Sequence, residues 1–200
     1  AIVDENGRFI GEEYTLALCV DHMLRHAQGP IVMNCASSRM SEDLANKYGV
    51  PLHRAAVGEA NVVDRMLETN ALFGGEGNGG PIDPRVGLVR DSFVGMAQIL
   101  DAMASREMSV AALAEEIPSY AIVKTKIDLD SEKVEPGIDA VVRELSDAKS
   151  DRSDGLRLDW PGRWLLIRAS NTEPIVRAIA EAPTEDEAVS LCKQAKSVLE

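Results

Sequence analysis

The 200-residue sequence has no basic run interleaved with aromatic side chains, and aromatics of any kind make up only 4% of it. At a formal net charge of -12, long-range electrostatics repel a phosphate backbone and nothing local offsets that repulsion, which excludes nucleic acid as a partner. Cysteine is scarce: Cys19, Cys35 and Cys192 stand singly, an odd set without CxxC spacing. Neither a disulfide framework nor a thiolate zinc site is expected, and the three read as reduced core cysteines of a cytoplasmic protein. No apolar run approaches the ~18 residues of a membrane span. No charged segment followed by an apolar one opens the chain, so neither membrane association nor a targeting signal is expected.

What remains is a globular composition, 45% hydrophobic and 27% charged with 15 Gly and 9 Pro, enough for one medium and one small domain. In so acidic a chain an anionic ligand has to be held by a few local donors. That favours a small phosphorylated metabolite over a polyanion.

Along the chain, residues 1–10 set Asn6-Gly7 between apolar pairs, a hairpin signal. Leu16, Ala17, Val20, Met23 and Leu24 recur at helical spacing, and Gly29-Pro30 ends that helix. A buried strand is expected over 30–35, a helix capped by Ser41 and running to Lys47, and a strand over 50–57. A helix over 59–69 follows, with Val62, Val63, Met66 and Leu67 inward and Asn70 at its stop, then a short strand Ala71-Leu72-Phe73. With further helices over 92–105 and 109–116, Met96 and Met103 at core spacing, residues 1–117 read as a three-layer alternating α/β domain. Ligand sites in such domains lie at strand carboxyl ends.

From Pro118 the pattern changes. Val123, Thr125, Ile127 and Leu129 alternate with Lys124, Lys126 and Asp128, as in a half-exposed strand. Pro136 suits a first helical position ahead of the stripe Ile138, Val141, Val142 and Leu145, and 146–155 is polar enough for a mobile loop. Strands follow around Leu156 and Leu158, over 164–167 and over 175–181, with a turn at Trp160-Pro161-Gly162-Arg163. Thr184 with Glu187 is a capping box opening a last helix. Residues 118–200 therefore read β-α-β-β-β-α, a smaller α+β domain with a mostly antiparallel sheet.

Two loops carry candidate chemistry. Gly74-Gly75-Glu76-Gly77-Asn78-Gly79-Gly80 holds five glycines in seven residues after a predicted strand, allowing close backbone approach to a ligand. A carboxylate paired with an amide suits hydroxyl recognition, since a sugar hydroxyl can donate to Glu76 and accept from Asn78. The same composition fits a flexible surface connection. A dinucleotide loop is disfavoured, because Pro81 and Pro84 follow where a helix should open. In Arg168-Ala169-Ser170-Asn171-Thr172-Glu173-Pro174-Ile175-Val176-Arg177, neutral donors Ser170, Asn171 and Thr172 lie between two arginines, a set suited to a phosphate dianion. A polar hairpin turn with cross-strand arginines fits the same residues.

These two loops, with Val57-Gly58-Glu59, Glu68-Thr69-Asn70-Ala71 and Arg90-Asp91, resemble in order, and over essentially the whole chain, the phosphoglucomutase/phosphomannomutase (alpha-D-phosphohexomutase) superfamily. The resemblance implies the family's third domain, which reads the sugar, at 1–117. At 118–200 it implies the fourth, TATA-binding-protein-like domain, which clamps the substrate phosphate. It implies Glu76 and Asn78 as sugar ligands, and Arg168, Ser170, Asn171, Thr172 and Arg177 as phosphate ligands. Arg39, beside Ser38, and Glu59 would be further substrate contacts. Many members carry serine at the position of Asn78 and histidine at that of Gly80. Those departures resemble the archaeal and phosphoglucosamine-type branches and bear on whether the sugar is glucose, mannose or glucosamine phosphate. Hexose phosphate, inorganic phosphate or sulfate are the expected ligands.

The family's reaction, an isomerisation by intramolecular phosphoryl transfer, needs a Ser-His-Asn-Pro-like segment carrying a phosphoserine and an Asp-rich Mg²⁺ loop such as Asp-Gly-Asp-x-Asp-Arg. No serine here precedes a histidine, and no such Asp-rich loop is present. The opening Ala1-Ile2-Val3-Asp4-Glu5-Asn6-Gly7 resembles the stretch after that metal loop, so phosphoserine, Mg²⁺ and the chain's own N-terminal domains are expected upstream of Ala1. The 200 residues alone are then expected to be inactive. A naturally short, non-catalytic phosphosugar-binding protein is the other reading. His22 and His26 stand four apart beside Asp21, a metal-binding spacing, but the neighbouring sequence offers no third ligand. The pair reads as a polar helix face, and no metal is assigned.

Overall fold

A computed structural model describes residues 1–169 and 175–200, which divide into two compact units, Ala1–Pro118 and Ser119–Glu200. In the first, β1 (Ile2–Val3) and β2 (Phe9–Gly11) form an antiparallel hairpin. Its turn is tied by the Asp4 carboxylate, which accepts from the Asn6 and Arg8 amides at 2.9 Å. β3 (Ile31–Asn34), β4 (Leu52–Ala55) and β5 (Phe73–Glu76) are parallel and β6 (Gly80–Ile82) is an antiparallel edge, in the order β4-β3-β5-β6.

Successive strand residues face opposite sides, and the adjacent Gly74 and Gly75 show what covers each. A Cβ at Gly74 would lie 2.3 Å from Met66 Sδ in α3 (Glu59–Thr69), and one at Gly75 2.4 Å from Leu16 Cδ1 in α1 (Glu12–His26). Helices α3 and α1 therefore sandwich the sheet, the expected three layers, at a separation only side-chain-free positions allow.

Helix α1 is buried beyond its predicted stripe, at Leu18 and Cys19 as well. The cause is crowding: α2 (Met40–Tyr48), α4 (Ser92–Arg106) and α5 (Val110–Glu115) pack on it beside the sheet. Asp21 is buried with it and accepts from Arg25 Nε at 2.7 Å, Tyr48 Oη at 2.8 Å and Lys47 Nζ at 3.1 Å. Burial by itself raises the Asp21 pKa, but these donors outweigh it and hold the carboxyl below its usual range.

Three expectations change in this unit. Ser41 lies inside α2, and it is Ser38 Oγ that accepts from the Met40 amide, at 3.2 Å. β5 begins at Phe73 and runs through Gly74, Gly75 and Glu76, because β6 gives those glycines a partner strand. Leu67 and Met96 are 61% and 51% exposed: α3 meets the sheet through Val62 and Met66, and α4 buries Val94, Gln98, Ile99 and Ala102 instead.

The second unit comprises β7 (Ala121–Asp128), α6 (Ser131–Glu144), β8 (Lys149–Asp151), β9 (Leu156–Trp160), β10 (Arg163–Ala169), β11 (Ile175–Ala182) and α7 (Glu185–Leu199). Its sheet, β7-β11-β10-β9-β8, is antiparallel throughout. The order is β-α-β-β-β-β-α. The added strand β8 lies in the segment read as a loop, and all of its residues are exposed, so no hydrophobic alternation marks it. Pro136 lies inside α6. The helix starts earlier because Val134 also packs on the core with Ile138 and Val141. Helix α7 opens on the expected box, Thr184 Oγ1 accepting from the Glu187 amide at 3.3 Å and Glu187 Oε2 from the Thr184 amide at 3.2 Å. It buries Ala188, Leu191, Cys192, Ala195 and Leu199. Among the described residues no helix is long and apolar enough to cross a membrane.

Candidate functional site

The three parallel strands of the first unit bring polar groups together at their carboxyl ends. Asn34 closes β3, Gly58 and Glu59 follow β4, and Glu76 closes β5. Glu76 is only 4% exposed, so its carboxylate has to be met by donors. Oε1 accepts from Asn34 Nδ2 at 2.7 Å and from the Gly58 amide at 2.9 Å, and Oε2 pairs with Arg90 Nη1 at 2.9 Å. Arg90 then reaches Glu59, donating from its backbone N and from Nε to Oε2, both at 3.0 Å. Those bonds, the backbone one foremost, hold the Glu59 carboxyl below its usual range.

A second layer fixes the first. Asn34 Oδ1 accepts from Ser37 Oγ at 2.8 Å and from the Ala36 amide at 3.0 Å, so its Nδ2 is turned to Glu76. Ser37 Oγ accepts from the Gly77 amide at 2.8 Å, tying the glycine hairpin to the β3 loop. Asn78 is exposed at the tip of that hairpin. Gly80 has a steric role: a Cβ there would lie 2.6 Å from Arg90 Cδ and 3.0 Å from Cγ. Its missing side chain is the space through which Arg90 reaches Glu76.

Chemically this is a pair of carboxylates bridged by one guanidinium. A carboxylate has about four acceptor positions, and the three bonds named for Glu76 leave capacity for a hydroxyl donor. Arg90 is 38% exposed and supplies further N–H groups. The structure thus joins Glu76 and Glu59 through a residue that sequence reasoning did not place in the site. Arg90 had a signal, the Arg90-Asp91 pair among the family-like motifs; Asn34 and Ser37 had none. Arg39 precedes α2, its Nη2 3.9 Å from Asp43 Oδ1.

In the second unit, strand register sets Arg168 of β10 opposite Arg177 of β11, and Arg177 opposite Lys126 of β7. Directly paired residues share a face, so three cations stand in a row on the strands that border residues 170–174. Like charges placed opposite one another destabilise a sheet. Arg168 is offset by Asp154, its Nε lying 2.8 and 2.9 Å from the two carboxylate oxygens. Lys126 was missed, because an alternating strand shows a lysine only as solvent-facing and register alone reveals its neighbours. Ser170, Asn171 and Thr172 lie outside the described residues.

Among the described residues, one group of three could hold a metal ion: His22, His26 and Asp101. Mg²⁺ selects oxygen donors in near-octahedral array, so this imidazole-rich set does not fit the Mg²⁺ of the family's reaction.

Residues 11–120 match the phosphoglucomutase/phosphomannomutase alpha/beta/alpha domain III and residues 128–196 the C-terminal domain of the same family. A protein of Thermococcus kodakarensis named phosphoglucomutase/phosphomannomutase is 37% identical over 190 residues, covering 93% of this chain and 41% of its own length. A probable phosphoglucosamine mutase of Pyrococcus abyssi is 32% identical over 203 residues, covering 99% and 45% respectively. The chain thus spans less than half the length of these relatives. Among solved structures, a phosphoglucomutase/phosphomannomutase family protein of Burkholderia thailandensis superposes with a TM-score of 0.77 at 20% identity, covering 97% of this chain and 42% of that one. An Aspergillus fumigatus N-acetylphosphoglucosamine mutase, solved in complex with GlcNAc-6P and magnesium, superposes with a TM-score of 0.71 at 14% identity, covering 99% and 45%. Two consecutive domain matches, and a 37% identical relative along nearly the whole chain, make it a member of the phosphoglucomutase/phosphomannomutase family.

Proposed function

We infer that these residues are the substrate-reading portion of a phosphohexomutase, an isomerase that shifts a phosphoryl group between positions of a hexose phosphate. The observation that carries this reading is the cationic row Arg168, Arg177 and Lys126 in cross-strand register. A row of cations on neighbouring strands raises the local positive potential, and a phosphate dianion beside Ser170, Asn171 and Thr172 would draw charge-assisted bonds from it. Glu76 and Asn78 take the sugar hydroxyls, with Arg90 and Glu59 holding Glu76 in position. Arg39 is a further substrate contact.

Binding and orienting the substrate is this portion's share of the reaction. Phosphoserine and Mg²⁺ would come from residues other than these 200, and the chain by itself would not turn over. The units would divide the labour near 117/118, sugar recognition before and phosphate after. The family's further domains would be the partners of these residues. A second reading, a hexosamine phosphate as substrate, is favoured by the relatives named phosphoglucosamine mutase that align over 99% of the chain.

NMR titration tests this with glucose, mannose and glucosamine 6-phosphates in turn. Amides of 168–177 and 76–79 should shift at millimolar ligand, and Arg168→Ala should abolish the first group of shifts. Silence in both loops with all three sugars refutes the reading, and turnover by the purified chain refutes the division of labour.

A further inference from the structure

We propose that His22, His26 and Asp101 form a binding site for a transition-metal dication of the Zn²⁺ class on the α1–α4 face of the first unit. Four-residue spacing puts the two imidazoles one turn apart on one side of α1, their ring centroids 4.8 Å apart and edge to face. The neighbouring sequence lacks a third ligand; α4 supplies it by packing. Asp101 Oδ2 lies 3.0 Å from His22 Nε2, and one donor atom from each of the three residues falls within 4.8 Å of the others.

Tetrahedral Zn²⁺ with bonds of about 2.0–2.1 Å holds its donors about 3.3–3.5 Å apart, so the widest pair, at up to 4.8 Å, has to close by about 1.3–1.5 Å. It has the freedom to do so, because His26 and Asp101 are exposed while His22, 6% exposed, is the fixed member.

Two imidazoles and one carboxylate select Zn²⁺, Co²⁺, Ni²⁺ or Cu²⁺ over Mg²⁺ and Ca²⁺, and three protein ligands leave a coordination position open to water or a small ligand. The site lies in an open cleft that also holds Arg85. That guanidinium does not oppose a cation at full strength, since Asp83 chelates it, with Nε to Oδ1 at 2.9 Å and Nη2 to Oδ2 at 2.6 Å. The net charge of -12 favours cation approach. None of the three residues belongs to either candidate binding loop, so the site stands or falls independently of the mutase reading.

The test is titration of the tag-free 200-residue chain with Co²⁺, read by its visible absorption, then displacement with Zn²⁺, with Mg²⁺ as control. Expected are one Co²⁺ per chain, displacement by Zn²⁺ and not by millimolar Mg²⁺, and paramagnetic broadening confined to amides around 22, 26 and 101. His26→Ala and Asp101→Asn, both at exposed positions that should leave folding intact, should each weaken binding by at least about tenfold. No binding at 100 µM Zn²⁺, equal binding by both variants and the parent, or broadening centred elsewhere overturns the proposal.

Discussion

The Glu76–Arg90 pair offers a quantitative check, because its two ends differ in environment: the Glu76 side chain is 5% exposed and that of Arg90 38%. Glu76→Ala removes the acceptor of Asn34 Nδ2, of the Gly58 amide and of Arg90 Nη1 together. A buried donor left unsatisfied costs about 1–3 kcal/mol and loss of one partner of a buried ion pair about 3–5, the latter reduced here because Arg90 can turn to water. A destabilisation of about 3–5 kcal/mol follows. Arg90→Ala leaves Glu76 with Asn34 and Gly58 and should cost about 1–2 kcal/mol. Their coupling in a double-mutant cycle should be about 1–2 kcal/mol, above the ~0–1 of exposed pairs. Both tryptophans, Trp160 and Trp164, lie in the second unit, so Trp fluorescence follows that unit alone. Urea unfolding should therefore be followed by far-UV circular dichroism and by hydrogen exchange at β3 and β5 amides. A coupling below about 0.3 kcal/mol, within the scatter of independent sites, refutes the view that Arg90 is the partner that positions Glu76.

Gly80→His should drive Arg90 out of the space it occupies and release Glu59, whose carboxyl pKa, read by carbon NMR, should rise toward the ordinary glutamate value. An unchanged Glu59 titration contradicts the steric role given to Gly80. Cys19, Cys35 and Cys192 are all buried, and burial pushes the Cys19 thiol up to about 12. None should react with an aromatic disulfide reagent until the chain unfolds, and a stoichiometric thiol released from native protein contradicts that burial. The Asp21 pKa is lowered in the folded state, so its contribution is present above the unfolded carboxylate value of about 3.9 and lost as pH falls through the folded value. Asp21→Asn should be less stable at neutral pH and show a shallower acid limb, and parallel acid limbs would contradict the linkage. Thr184→Ala should cost about 1 kcal/mol through loss of the capping box, seen as a lower urea midpoint without a change of slope.

Much of the architecture was legible because it rests on local pattern. Leu16, Val20, Met23 and Leu24 at helical spacing, Asn70 in the left-handed conformation (φ 49°) at the stop of α3, and Thr184 with Glu187 opening α7 all encode their elements within a few residues. Where local pattern was weak, reading failed. β8 is a wholly exposed edge strand held only by β9. Pro136 suits a first helical position, yet Val134 draws the start of α6 earlier, and Leu67 has inward spacing on a helix that meets the sheet along a narrower stripe.

Residue type and short spacing are enough to mark the family and both the glycine- and the arginine-bearing loop. What those residues touch is set by packing. Glu76 meets Arg90 because a strand end and the loop after β6 converge where Gly80 has no side chain. Lys126 joins Arg168 and Arg177 through β-register, a relation between residues tens of positions apart. His22 and His26 gain Asp101 because α4 packs across α1. Each is a contact between distant segments, fixed by how helices and strands pack and carried by no spacing along the chain.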